Sequence, residues 1–325
     1  MRITHAVAVA CYWTGVDAIF YWLNKKAKRI VTFHNVLPRE LWHPGANGVS
    51  CDLDGFEKVV DLCARKFRFS TDLFDPRTLT ITFDDGYHNQ YAYAFKTLRE
   101  KGIPAYVFVA GDTQKSDGGL LVDKLLHWVA YAPSELIPGG DRSRYWVKDV
   151  WPRFRDDHET HGEAIWEELV AKCPYEKIVA QLPATYWHER MDGISDAELE
   201  EMRAAGWKIG WHTRRHCPLV QFTGAALREE LNAPPAFKDV CLSYPYGNPI
   251  EVGDEAVRVA EALGYPCAVS NCDNVALNRT SRFFLPRLAL GANKYDFHFV
   301  LSGAKFFLKF RRLLPRIENS RAEQG

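Results

Sequence analysis

The sequence predicts an α/β protein folded as a distorted (β/α) barrel, with a large insertion and helical extensions at both ends. Two observations predict it. Short runs of β-branched and aromatic residues alternate with stretches of helical periodicity, and polar residues capable of chemistry follow several of those runs directly. RIVTFHNV at 29–36 reads as a first strand. LTITFDDG at 79–86 reads as a buried strand ending in acids, 87–100 as a helix stopped by Gly102, and IPAYVFVAG at 103–111 as the next strand. Later, Ser195 and Glu198 form a capping box, the helix they open runs to Gly206, and 207–211 is a strand that empties into His212. Strands at 239–244 and 265–270 flank a helix at 252–263 closed by Gly264. Parallel strands joined by helical crossovers present their C-terminal ends, and whatever chemistry those carry, on one face.

Between about 112 and 190 the rhythm is lost. That stretch holds Trp128, Trp146, Trp151, Trp166 and Trp187, five of the ten tryptophans, and reads as an insertion. The expected organisation is an amphipathic helical segment at 1–28, a main domain at 29–291 carrying the insertion, and a basic amphipathic helix and tail at 292–325.

Length and composition leave ample material for a large core. The 41 basic residues balance 41 acidic ones, which argues against a nucleic-acid partner. Eight cysteines are scattered without a CxxC pair, as expected of a reducing, cytoplasmic compartment. The apolar stretch 6–23 is interrupted by Asp17 and lacks the basic start and cleavage site of an export signal, so it reads as amphipathic. The segment 305–316, KFFLKFRRLLPR, has five basic residues interleaved with phenylalanine and leucine and no acid. With Lys25, Lys26, Lys28 and Arg29 after the first apolar stretch, it leads to the expectation of peripheral contact with the inner face of a membrane.

Three short motifs carry the chemistry. Asp84 and Asp85 end an apolar strand before Gly86; two adjacent acids in a dry site are costly unless a cation or hydrogen bonds compensate them. Taken alone, FDDG is equally a strand-to-helix turn with Asp85 as a cap. His212 and His216 are four apart at the mouth of a strand, and Thr213 stands where a zinc-protease HExxH would carry its glutamate, so a base must come from elsewhere. Two histidines and a carboxylate suit a three-ligand metal site with open positions. SYPYG at 243–247 is either a plain turn or one that points the Tyr246 amide at an oxyanion.

In that order, ITFDDG, HTRRH and SYPYG resemble the polysaccharide deacetylase family, the NodB-homology domain of carbohydrate esterase family 4, over roughly 29–291. The resemblance implies Asp84 as base, Asp85, His212 and His216 as ligands of one divalent metal, zinc, Thr213 as a brace for the loop, and the Tyr246 amide as an oxyanion donor. VTFHNV resembles the family's opening strand, with His34 at its usual histidine. Two departures stand out. The arginine that family members often carry before the Pro-Tyr pair is missing from Cys241–Tyr244, and Arg287 in LPRLAL is the candidate to supply its charge beside Asp84. The late leucine-x-histidine motif, source of the general acid, has only His298 in DFHFVL as a weak counterpart. The implied reaction is hydrolysis of an N-acetyl group on an amino sugar of a polysaccharide, oligosaccharide or lipid-linked glycan. Alternatives are a deformylase or imidase, or a sugar-binding relative without activity. A non-haem iron oxygenase fits less well, because Arg214 stands where its carboxylate would.

Overall fold

The computed structural model describes residues 3–41, 50–114, 119–277, 280–290 and 293–305. Two helices, α1 (Ile3–Trp13) and α2 (Val16–Leu23), lead into β1 (Arg29–Phe33). The first predicted strand breaks at His34, and β2 (Asn35–Leu37) turns away to pair with β3 (Ser50–Asp52) in a separate two-stranded sheet. Helix α3 (Leu53–Ala64) opens on the Asp52 cap, whose carboxylate accepts from Gly55 N. Then come β4 (Arg68–Phe69), β5 (Thr78–Phe83), a helix that is π-wound over Gln90–Phe95 and ends as α4 (Lys96–Glu100), and β6 (Ala105–Val109).

The region between β6 and the next strand is helical throughout its regular elements: α5 (Leu121–Tyr131), α6 (Arg142–Tyr145), α7 (Trp151–Asp156), α8 (Glu163–Lys172), α9 (Tyr175–Val179) and α10 (Ala184–Met191). Helix α11 (Asp196–Ala204) carries the predicted capping box, and β7 (Lys208–Trp211) follows. After α12 (Gly224–Leu231), the strand expected at 239–244 shortens to β8 (Leu242–Ser243), because the residues before it are taken by a 3-10 turn at Pro235–Phe237 and its exit. The chain continues through α13 (Pro249–Ala262), β9 (Ala268–Ser270), β10 (Leu285–Pro286) and α14 (Lys294–Leu301). The tail beyond 305, where most of the basic segment falls, lies outside the described residues.

Every pairing in the main sheet is parallel, in the order β1-β5-β6-β7-β8-β9-β10, with β4 also on β5. A parallel bridge from Val31 to Leu288 brings the last strand back to the first and nearly closes the barrel. Alternate residues fill its interior, where Ile30, Tyr106, Phe108, Cys241, Val269 and Leu285 cluster. Outside, Phe33, Phe83 and Trp207 meet Phe56 of α3 in one apolar layer, the Phe83 and Trp207 rings stacked at 5.5 Å. A second layer joins Trp211, Leu242 and Tyr244 to Leu125, Trp128 and Phe154 of the inserted helices.

The insertion is thus packed like a core. Trp128 is fully buried with its Nε1 donating to Cys173 O, and Trp187 Nε1 donates to Val179 O. Hydrogen bonds from Ile194 N to Gly86 O and from His88 N to Asp192 O sew its end to the turn after β5. Truncating a buried aromatic leaves a cavity and costs about 3–5 kcal/mol. Trp128→Ala should therefore lose that much stability in urea denaturation, and a loss under about 1 kcal/mol would show that the inserted helices are not part of the cooperative core.

Candidate active site

The turns that leave β5, β7 and β8 hold backbone in conformations that side chains rarely adopt. Six non-glycine residues among the described ones have positive φ, and four of them are Asp85 (81°), Thr213 (67°), His216 (55°) and Tyr246 (59°). Each such residue costs on the order of 1–3 kcal/mol, which packing around it must offset. The neighbouring glycines are obligatory. A Cβ on Gly86 would come 3.1 Å from Val109 Cα, and one on Gly247 2.3 Å from Asn271 N. The π-wound turn contributes too, since Gln90 reaches back to donate to His34 O and to Asp84 O, fixing the ends of β1 and β5.

Asp84 is fully buried and its carboxylate lies in a fork made by Arg287. Nη1 donates to Oδ1 at 2.7 Å and Nη2 to Oδ2 at 2.5 Å, while Ser243 Oγ donates to Oδ1 at 3.1 Å. The remaining Arg287 donors go to Ser270 O, Thr82 Oγ1 and Ser243 Oγ, so all five N–H groups are satisfied. Burial by itself would raise the Asp84 carboxyl, but Arg287, with His212 and His34 behind it, outweighs burial and brings it down to about 2. Asp84 Oδ2 also lies 3.7 Å from His34 Nε2 and 3.9 Å from His212 Nε2.

Asp85, His212 and His216 converge, their ligand atoms all within 4.8 Å of one another. Asp85 Oδ1 is 3.5 Å from His212 Nε2 and 3.3 Å from His216 Nε2, yet this buried oxygen has no hydrogen bond of good geometry. His212 Nδ1 donates to Ser243 O at 2.8 Å, which leaves Nε2 with its lone pair toward Asp85. Burial pulls His212 down to about 4, so the ring is neutral, as a ligand must be. For His216, burial acts in the same direction, but the contact with Asp85 outweighs it and the ring is raised. Thr213 Oγ1 accepts from His216 N and Tyr246 Oη donates to His216 O, bracing the loop from both sides. An under-coordinated buried carboxylate oxygen facing two imidazole nitrogens fits a divalent cation of the zinc type.

A cavity of about 530 Å³ opens over this cluster, a size suited to a small ligand or part of a larger one. His34, Asp85, His216, Tyr246 and Arg287 reach its wall, as do Trp146 and Trp151 of the insertion. Trp151 packs edge-on to Tyr246 at 4.9 Å. Among the described residues the Tyr246 N–H has no acceptor within the chain.

Eight of the residues singled out in the sequence therefore meet here: His34, Asp84, Asp85, His212, Thr213, His216, Tyr246 and Arg287. His298 does not. It lies half-buried on α14, its Nδ1 3.4 Å from Tyr21 Oη and its ring against Tyr12, because that helix packs on α1 outside the barrel. Several residues on the site had no signal in the sequence. Ser243, known from the sequence only as the first residue of SYPYG, bonds both Asp84 and Arg287. Arg190 and Asp123, from helices 67 residues apart, form a buried pair at 2.7 Å on the cavity wall, with Tyr87 Oη donating to Asp123 at 2.5 Å. Glu251 lines the cavity with Oε2 buried and unpartnered, and burial raises its carboxyl. A second histidine group, His88, His188 and Glu189, is more exposed; both His88 nitrogens already face carboxylates, Glu189 at 2.9 Å and Glu198 at 3.3 Å.

The Arg287 pairing makes a prediction about pH. Asp84 titrates at about 2 in the folded chain against an ordinary 3.8, so the stability it contributes is complete above about pH 4 and is lost as pH falls toward 2. The difference in unfolding free energy between the metal-free native chain and Asp84→Asn, from urea denaturation, should be constant above about pH 4 and shrink below it. A difference that does not change across this range would mean that Asp84 is not held ionised by Arg287.

A family model described as polysaccharide deacetylase matches residues 73–138, the segment that carries the acid pair. No curated protein sequence matches the chain. Among solved structures, the Streptococcus pyogenes deacetylase PplD, determined in complex with acetate, is similar with a TM-score of 0.50 and 13% identity, covering 82% of this chain and 93% of its own. A polysaccharide deacetylase from Bacillus cereus is similar with a TM-score of 0.51 and 13% identity, covering 85% of this chain and 68% of its own. At that identity the two structures speak to the fold, and the family model speaks to the segment around Asp84 and Asp85. The chain is thus similar to polysaccharide deacetylases in two respects, the fold of its nearly closed parallel barrel and the sequence of the segment 73–138.

Proposed function

We propose that the chain hydrolyses an N-acetyl group on an amino sugar of a glycan, with one divalent metal, zinc, held by Asp85, His212 and His216. The observation that carries this reading is the buried Asp85 Oδ1 without a hydrogen bond, facing two histidine nitrogens at the floor of a cavity, with an ionised Asp84 beside it. The family resemblance supplies the substrate class. A divalent ion in such a site polarises a carbonyl and brings the pKa of water down towards ~7.

The chain's own residues supply the rest. Asp84 takes the proton from the attacking water, and Arg287 keeps that carboxylate ionised and aimed. The Tyr246 N–H, which has no acceptor among the described residues, donates to the oxygen that gains charge as water adds to the acetyl carbon, a contact worth about 3–4 kcal/mol. As the C–N bond breaks, the leaving amine takes a proton and acetate is released. We assign that proton to His34, the histidine on the cavity wall that is not in the ligand set and lies 3.7 Å from Asp84. Trp146 and Trp151 form an aromatic wall against which a sugar ring can stack.

Three measurements test this. His212→Ala and His216→Ala should lose bound zinc, read by elemental analysis, and lose turnover with it; unchanged metal content would sink the ligand assignment. Asp84→Asn and His34→Asn should keep the metal while acetate release from N-acetylhexosamine oligosaccharides falls on the order of 10²–10⁴-fold, and retained turnover in either would remove it from the mechanism. Trp151→Ala should raise KM with little loss of thermal stability, in contrast to the buried Trp128. Equal KM values for the two variants would make the wall a scaffold.

A further inference from the structure

The amino-terminal helices carry an apolar surface that the fold does not cover. Among the described residues, Trp13 (71%), Trp22 (65%), Leu23 (57%) and Ile19 (55%) are large hydrophobic side chains left exposed, and all four lie within eleven residues of each other. Ile19, Trp22 and Leu23 fall at i, i+3 and i+4, one stripe of α2, while Asp17 on the same helix is buried. Helix α1 is anchored from behind, with Ala8 and Cys11 buried against Phe299 and Ala304. The outer stripe is left to solvent.

Basic residues stand beside the stripe, while Asp296 faces His5 and Asp273 faces Lys305. From Ala18 to Lys26 there is no acid, Lys25 and Lys26 are exposed, Lys25 Nζ stands 5.5 Å over the Trp22 ring, and Lys294 Nζ stands 6.0 Å from that of Trp13. Arg29, by contrast, is buried and donates to the carbonyls of Leu301, Ala27 and Asn24, so it serves the fold. Those bonds, with Asn24 Nδ2 donating to Ser302 O, bring the end of α14 beside Lys25. The chain leaves the described fold at Lys305, close to the stripe, and the sequence that follows is FFLKFRRLLPR, basic and apolar without an acid.

We propose that this stripe and its basic rim form a docking surface for the anionic face of a phospholipid bilayer. Tryptophan beside lysine is suited to a surface whose outer layer is charged and whose interior is apolar. Docking is interfacial. Helices α1 and α2 are together apolar enough to cross a membrane, but they meet at 82° and α1 is packed on the fold through Ala8 and Cys11 against Phe299 and Ala304. Arg29, at the start of β1, holds the carbonyls of Asn24 and Ala27, while His34 at the cavity follows the other end of the strand, so the end of α2 lies toward the end of the barrel away from the cavity.

Co-sedimentation of the full chain with phosphatidylcholine vesicles, with and without phosphatidylglycerol, tests the proposal. Binding to the mixed vesicles is expected at low salt, with little to phosphatidylcholine alone. Lys25→Glu/Lys26→Glu should weaken it roughly 10-fold or more, and added salt should do the same. Ile19→Ser/Trp22→Ser/Leu23→Ser should abolish it while the thermal midpoint stays near that of the native chain. No pelleting with mixed vesicles, or equal pelleting of the serine variant and the native chain, overturns the proposal. So does a lipid-free dimer that the serine variant splits without any vesicle binding, since the stripe would then serve a second copy.

Discussion

A buried ion pair between Arg287 and Asp84 holds the molecule together where its chemistry sits. Removing two charges from water costs several kcal/mol per ion, and only good geometry with every remaining donor used offsets that. Both conditions are met. Through its five donors Arg287 reaches Thr82 on β5, Asp84 after it, Ser243 on β8 and Ser270 on β9, while its own backbone continues from β10. The strand that closes the barrel is thus bound to the acid that needs its charge. Lysine, with three donors and no planar fork, would not reproduce this pattern.

The strain in the surrounding turns follows from the same arrangement. Placing two histidines, a carboxylate and a backbone N–H around one point at the ends of different strands requires sharp changes of chain direction. Asp85, His216 and Tyr246 meet that demand by adopting left-handed backbone. Rigid neighbours hold them there: Gln90 on the carbonyls before them, Thr213 under His216, and glycines where a Cβ would strike backbone.

The sequence made much of this legible because strand-end acids, a histidine pair and a Pro-Tyr turn are short, local patterns. Helix and strand alternation gave the barrel, although β8 proved shorter than its apolar run and β1 broke at His34. Arg287 was found from what the Pro-Tyr motif lacked. Residues that act by meeting from afar were not legible: nothing local marks Glu251, the bonds of Ser243 to Asp84 and Arg287, or the pairing of Asp123 with Arg190 across 67 residues. His298 misled because a histidine in an apolar helix carries no information about which side of the barrel the helix covers. The inserted helices escaped because each is short and buried on more than one face, which erases periodicity.

The way those helices are buried bears on how such a fold can diversify. Trp146 and Trp151 face the cavity, but the helices behind them share an apolar layer with Trp211, Leu242 and Tyr244 of the barrel itself. A wall built this way is not a module. Exchanging it whole would expose the outer side of β7 and β8, so new preferences are reached most readily by single replacements on the cavity surface. Loop grafting, which serves barrels with detachable lids, would meet resistance here.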